Sequence, residues 1–319
     1  MGASARVSGL VMPTRCILLL LLVTACGLRS GGRRLPDGGT IGTAMGCNLD
    51  ANDGNRVVDP PSALFSNVNA LSFDAEGNLY VLNRTSAASW IAVFGPSPEH
   101  EPKAVVGRDV LRDGIDFARD KDGSFWVLQE DVAEVVHVSS AGAKLSSFLI
   151  TVDEVGGLAL GPDGALYISV GRLARFNTSG MVLNTFGSKN PQIPHYQGVA
   201  FDSRGMLWAT DPSERTVEEF DPVSGDRRSK FGGHGAELGK FDGNTQVHSG
   251  PTDIAFDARG DLYVNDPLGS RIQKFQRTGT PLAQFGFGGA DNVEPIAVDP
   301  KTGNLYVGRD SAIDIVCPL

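Results

Sequence analysis

Cysteine, histidine and tryptophan are scarce in this chain of 319 residues, which carries four, five and three of them. No two cysteines stand at zinc-site spacing, no glycine-rich phosphate loop is present, and no serine occupies a nucleophile elbow. Structural zinc, phosphate-loop chemistry and elbow-serine hydrolysis are thereby removed. Basic residues are in deficit: 28 Lys and Arg face 37 Asp and Glu, for a formal net charge of −9. Without a Lys/Arg cluster interleaved with aromatics, such a chain repels phosphate backbones, and nucleic acid is excluded as a partner. Past the leader, no segment keeps apolar residues at three- and four-residue spacing, so amphipathic helices are not expected. The one uninterrupted apolar run of the leader, 16–23, is too short to span a bilayer comfortably.

What the chain has in quantity is glycine, 40 residues of it, with 18 prolines, and a phrase that returns six times. It reads FDAEGNLYV from Phe73, FDSRGMLWA from Phe201, FDARGDLYV from Phe256 and VDPKTGNLYV from Val298, with looser copies from Phe117 and Leu160. The shared turn glycines are Gly77, Gly123, Gly164, Gly205, Gly260 and Gly303, at intervals of 46, 41, 41, 55 and 43 residues. That period predicts four-stranded blades and an all-β, six-bladed β-propeller. Each repeat reads as inner strand, glycine turn, second strand, variable loop, third strand, glycine turn and outer strand. The sixth copy stops after AIDIV (312–316), so its outer strand is expected from the N-terminal side, with 56–58 as donor. The recurrent Phe73, Tyr80, Trp126, Tyr167, Trp208 and Tyr263 are expected to pack blade against blade.

The N-terminal segment places Arg6 and Arg15 before the apolar run and ends it in LVTAC (22–26). That string resembles the bacterial lipobox, which implies a signal peptide over 1–25 and a lipidated Cys26 as the mature N-terminus. Loss of Arg6 and Arg15 takes the formal charge from −9 two units further, to −11. Residues 26–60 then form a glycine- and arginine-bearing tether plus the closing strand, and 61–319 the propeller. No acidic residue follows Cys26 to suggest inner-membrane retention, so the expected address is the outer membrane or outer surface of a bacterial envelope, with the lipid as membrane anchor and the protein a monomer. Cys47 and Cys317 flank the ring, and ring closure brings chain ends together, so a disulfide between them is expected in an oxidising compartment. Two free thiols are the alternative.

The segment NDPLGSRIQKF (265–275) resembles the NHL repeat at Asp266, Arg271, Ile272 and Phe275. The fourth copy keeps Asp211 and Phe220 but has Thr216 and Val217 where Arg and Ile would stand. The likeness is strong over 195–310 and weaker from about 61, and that family is functionally diverse.

Counting four residues back from each phrase opening gives a ring at one channel end: Asn69, Asp113, Gly156, Gln197, Thr252 and Glu294. Glu294, Asn69 and Asp113 come from consecutive blades and are oxygen donors suited to Ca²⁺. In this the ring resembles gluconolactonase-type lactonases, which implies a metal on those three residues with Asp113 as general base. His195 and His248 fall at the same end, where streptogramin-lyase-like propellers place histidines. NLDANDGNRVVD (48–59) resembles a calcium loop of the EF-hand type, but has Asp53 where glycine is required. The preferred expectation is a binding scaffold for protein or another envelope ligand. Its working face carries Asn83, Asp131, His195, Gln197, Asp211, His248, Asp266 and Asp310, whose acidity favours a cation or basic peptide; a metal-dependent hydrolase is the alternative.

Overall fold

The computed structural model describes residues 46–50, 67–97, 100–151, 155–187, 196–242, 250–286, 295–309 and 312–316. A short strand β1 (Gly46–Asp50) precedes blade 1, formed by β2 (Asn67–Phe73), β3 (Leu79–Arg84), β4 (Ser89–Phe94) and β5 (Pro102–Val106). Blade 2 has β6 (Gly114–Arg119), β7 (Phe125–Gln129), β8 (Glu134–Val138) and β9 (Lys144–Leu149), and blade 3 has β10 (Leu158–Leu160), β11 (Leu166–Ser169), β12 (Leu173–Phe176) and β13 (Val182–Phe186). Blade 4 follows with β14 (Val199–Phe201), β15 (Leu207–Asp211), β16 (Thr216–Phe220) and β17 (Arg227–Gly232), and blade 5 with β18 (Ile254–Phe256), β19 (Leu262–Asp266), β20 (Arg271–Phe275) and β21 (Pro281–Gly286). Blade 6 contributes β22 (Ile296–Val298), β23 (Leu305–Arg309) and β24 (Ala312–Val316). Each blade is a four-stranded antiparallel meander, and blade 6 is completed on its outer edge by β1, which pairs with β24 from Gly46↔Val316 to Asp50↔Ala312.

The all-β, six-bladed ring closed by an N-terminal strand is therefore as expected, but the donor segment differs. Closure uses residues 46–50, whereas 56–58 lie outside the described residues. The same strand bears on the proposed calcium loop, because its first and third positions, Asn48 and Asp50, belong to a paired strand instead of a loop. Cys47 lies in β1 opposite Ile315; Cys317 and Cys26 are outside the described residues.

Burial explains the layering of each blade. Second strands such as β7, β15 and β19 are buried along their whole length, being covered on both faces by neighbouring blades, while outer strands such as β9 are almost wholly exposed. The buried apolar residues fall into separate clusters, each shared by two adjacent blades. Aromatics of the repeated phrase hold these joints: Phe73 meets Tyr306 at 4.8 Å between blades 1 and 6, Tyr167 meets Phe201 at 4.9 Å between blades 3 and 4, and Trp208 meets Phe256 at 6.0 Å between blades 4 and 5.

The phrase's aspartate closes the turn that follows. Asp74 accepts the backbone N–H groups of Glu76 and Asn78 on Oδ1, and the Tyr80 hydroxyl at 2.9 Å on Oδ2; Asp202 does the same for Arg204, Met206 and the Trp208 indole. Although burial works to raise them, these hydrogen bonds hold both carboxyls below the ordinary aspartate range.

Register corrects the reading of blade 2. Phe73 pairs with Leu79, Phe256 with Leu262, and in blade 2 the pair with the same place in the turn is Arg119 with Phe125, not Phe117, which pairs with Val127. The inner strand of that blade is thus shifted by two residues from its expected alignment. Ile115, not Asp113, occupies the position that corresponds to Asn69 and Thr252.

Candidate functional site

The first strands of all six blades surround a central channel with a cavity of about 790 Å³. One position further along those strands than the expected ring lie Ala70, Asp116, Gly157, Gly198, Asp253 and Pro295, and all of them line it. Two are carboxylates on opposite sides of the ring, in blades 2 and 5.

Asp116 and Asp253 make the same pair of bonds. Asp116 accepts the N–H of Phe117 at 2.7 Å on Oδ1 and, across to blade 3, the N–H of Leu158 at 2.6 Å on Oδ2. Asp253 accepts Ile254 N–H at 2.8 Å and, across to blade 6, Ile296 N–H at 2.8 Å. Each carboxylate therefore ties its own inner strand to the next. Burial pushes both carboxyls up to about 7, against the pull of these N–H donors, and for Asp116 the charge of Asp253 adds to the rise. Both side chains retain some surface toward the channel, but six strands enclose them and keep bulk water at a distance.

The other joints use different chemistry. Asn69 donates from Nδ2 to the Gly114 carbonyl at 2.8 Å, and Ser89 Oγ accepts Gly114 N–H at 2.8 Å, joining blades 1 and 2. Between blades 3 and 4 the backbones approach so closely that a β-carbon on Gly156 would collide with the Tyr196 carbonyl oxygen, and one on Gly157 with that of Gln197. Gly156, which offers no ligand atom, is thus required by packing. Gln197 lines the channel, and its Oε1 is buried with no hydrogen-bond donor among the described residues.

Of the expected metal trio, Asn69 lies on the channel wall and Asp113 in the loop before β6, while Glu294 is outside the described residues. Asp113 is an ion-pair partner of Arg84, which also reaches Glu130 at 3.0 Å, and its Oδ2 accepts the Asp131 N–H at 3.0 Å. Burial and the Asp131 carboxylate raise the Asp113 carboxyl above its ordinary range, with Arg84 opposing them. Among the described residues no three His, Cys, Asp or Glu side chains converge as a metal site.

Several residues of the expected working face are engaged within the blades. Asn83 is buried and donates to the Val81 carbonyl at 2.9 Å. Asp266 is buried against Arg271 at 2.8 Å, and Asp211 lies at the matching place in blade 4. His195, His248 and Asp310 are outside the described residues. The described histidines include two in joints and packing: His100 bridges blades 1 and 6, donating from Nδ1 to the Gly95 carbonyl and accepting the Tyr306 hydroxyl at 2.7 Å on Nε2, and His137 stacks on Trp126 at 3.9 Å.

Asp253 lies one residue past the four-back count that picks the expected ring, and Asp116 drops out as well because Phe117 is not the phrase opening of blade 2. Counting four residues back from the turn glycine Gly123 reaches Arg119, and that count brings Asp116 into line with Asp253.

No protein family matches the chain, and no curated protein matches it by sequence. Solved structures do resemble it. Virginiamycin B lyase from Staphylococcus aureus aligns at a TM-score of 0.55 and 12% identity over 78% of this chain and 80% of that one. A streptogramin B lyase aligns at 0.56 and 13% over 86% and 87%. Kuenenia stuttgartiensis hydrazine synthase aligns at 0.57 and 11% over 83% and 99%. At such identities the likeness is one of fold, and it agrees with the strand order: the chain is an all-β, six-bladed propeller with a polar channel at its centre.

Proposed function

We propose that this chain is an envelope-tethered binding propeller whose channel mouth receives a basic peptide or another cationic ligand. One observation carries the reading: the channel carboxyls Asp116 and Asp253 are engaged as fasteners between blades, leaving a walled, polar cavity with no convergent catalytic set among the described residues. Gln197 Oε1, without a donor among the described residues, and the Glu130 carboxylate on the channel wall suit a donor-rich, positively charged guest. The lipobox-like leader supports the tether, and the NHL likeness of 195–310 supports a recognition role.

A second reading is favoured by the lyase neighbours. Here His195 and His248, or a calcium ion on Glu294, Asn69 and Asp113, would act at the same mouth. The described residues fit the ion poorly, because Arg84 already neutralises Asp113 and a metal would have to displace its guanidinium.

The test pairs binding with turnover. Wild-type protein should bind tri-lysine saturably and tri-glutamate not at all, with weaker tri-lysine binding in the Glu130→Gln, Asp131→Asn double variant. It should leave quinupristin and a panel of lactones intact with or without calcium. Turnover that disappears in His248→Ala or Asp113→Ala would replace the binding reading with the enzymatic one.

A further inference from the structure

Blades 4 and 5 carry the same loop with one decisive difference. The segments Asp211-Pro212-Ser213-Glu214-Arg215-Thr216 and Asp266-Pro267-Leu268-Gly269-Ser270-Arg271 join second to third strand in the same register, Asp211 opposite Thr216 and Asp266 opposite Arg271. Both turns end on a residue with positive φ, 56° at Arg215 and 49° at Ser270. The two loops therefore superpose in kind, and blade 5 shows what the site looks like when filled.

In blade 5 the Arg271 guanidinium is fully used. Its Nε donates to Asp266 at 2.8 Å, Nη1 to Gln284 Oε1 at 2.9 Å and to the Ala236 carbonyl, and Nη2 to the Lys240 carbonyl at 2.9 Å. Arg271 and Asp266 are both buried.

In blade 4 the arginine is replaced by Thr216. Asp211 is 1% exposed, and its carboxylate has one donor, the Glu214 N–H at 2.9 Å, with no cation in ion-pair reach among the described residues. Thr216 is 5% exposed, and its Oγ1 has no hydrogen-bond partner among the described residues. A buried acceptor left in this way carries the full penalty of its lost solvation. Beside them a cleft of about 560 Å³ opens between blades 3 and 4, lined by Asp211, Glu214, Glu218 and Asp226 against Arg227 and Lys230. Thr216 shares the β16 face of Glu218 and Phe220, which line the cleft. Lys230, opposite Glu218 where blade 5 has Gln284, is neutralised by Glu218 at 3.0 Å, and Arg227 pairs with the same carboxylate at 3.2 Å.

We infer that the cleft between blades 3 and 4 is a receptor site for an arginine side chain of a partner protein, its guanidinium taking the place beside Asp211 and Thr216 that Arg271 fills beside Asp266. A guanidinium brings paired N–H donors and a fixed charge, and among the described residues no cation stands within ion-pair reach of Asp211 to supply them. The site is separate from the central channel, so its failure would leave the channel reading standing.

Acetyl-arginine amide is the probe, titrated into full-length protein and followed by backbone amide NMR. Saturable shifts at Glu214 and Glu218 are expected, with acetyl-citrulline amide, the neutral analogue, at least about tenfold weaker. Asp211→Asn should weaken the probe by a similar factor. Thr216→Arg should fill the site from within, raising the melting temperature and abolishing probe binding. Absence of saturable binding, equal binding of the citrulline compound, shifts confined to the channel, or undiminished binding to Asp211→Asn would each overturn the inference. Should Thr216→Arg fail to fold, the Asp211→Asn and citrulline comparisons still decide it.

Discussion

Asp116 and Asp253 stand on opposite blades at equivalent strand positions, and each accepts one N–H from its own strand and one from the next blade. Both titrate far above an ordinary aspartate, at about 7.

The pH dependence of stability follows from that shift. The folded chain holds both protons to about pH 7, whereas the unfolded chain releases them near ~3.9, so their stabilising contribution is complete below the lower value and is lost as pH rises through the higher. Asp74 and Asp202, held below their usual range, act in the opposite direction and withdraw stability as pH falls. Urea midpoints measured from pH 5 to 8 should decline with pH, and Asp116→Asn combined with Asp253→Asn should flatten that decline. In Asp253→Asn alone, the carboxyl resonance of Asp116 should titrate at lower pH than in wild type, because a neighbouring negative charge has gone.

The ring itself was legible in the sequence because the turn glycines and the phrase around them recur with every blade. Channel residues carry no such periodicity: Ala70, Asp116, Gly157, Gly198, Asp253 and Pro295 occupy one structural position with four residue types. A two-residue misalignment in blade 2 therefore passed unnoticed, and it put Asp113 forward in place of Ile115. The closing strand was expected in kind but placed ten residues late, since any short polar stretch can complete an exposed edge.

Two glycine substitutions should separate steric from conformational cost. Gly157→Ala meets the Gln197 carbonyl and should lose about 1–3 kcal/mol as the blade 3–4 joint is forced apart. Gly164→Ala has open space around it but a φ of 76°, and should lose about 1–2 kcal/mol from backbone strain. Chemical denaturation reads both, and only the first should disturb the Tyr196 resonances.

Removing Arg271 should be expensive. Arg271→Ala leaves Asp266 buried without its cation, and a loss of about 3–5 kcal/mol is expected by urea denaturation. Asp266→Asn in the same background should recover part of it.

His137 should titrate below an ordinary histidine. Burial against Trp126 disfavours its charged form, with Asp122 and Asp120 only partly compensating. Ring proton shifts followed from pH 4 to 8 would show this, and the His137 contribution to stability should be complete above the unfolded value of about 6.5 and lost as pH falls through the lower folded value.

The strand β1 also has a mechanical meaning. Among the described residues it pairs with β24, along five residue pairs. A pull applied at Gly46 is borne first by that short seam, before a blade or an apolar joint feels it. Under load the molecule would part at its clasp, exposing the edge of blade 6 while the other five blades kept their strands.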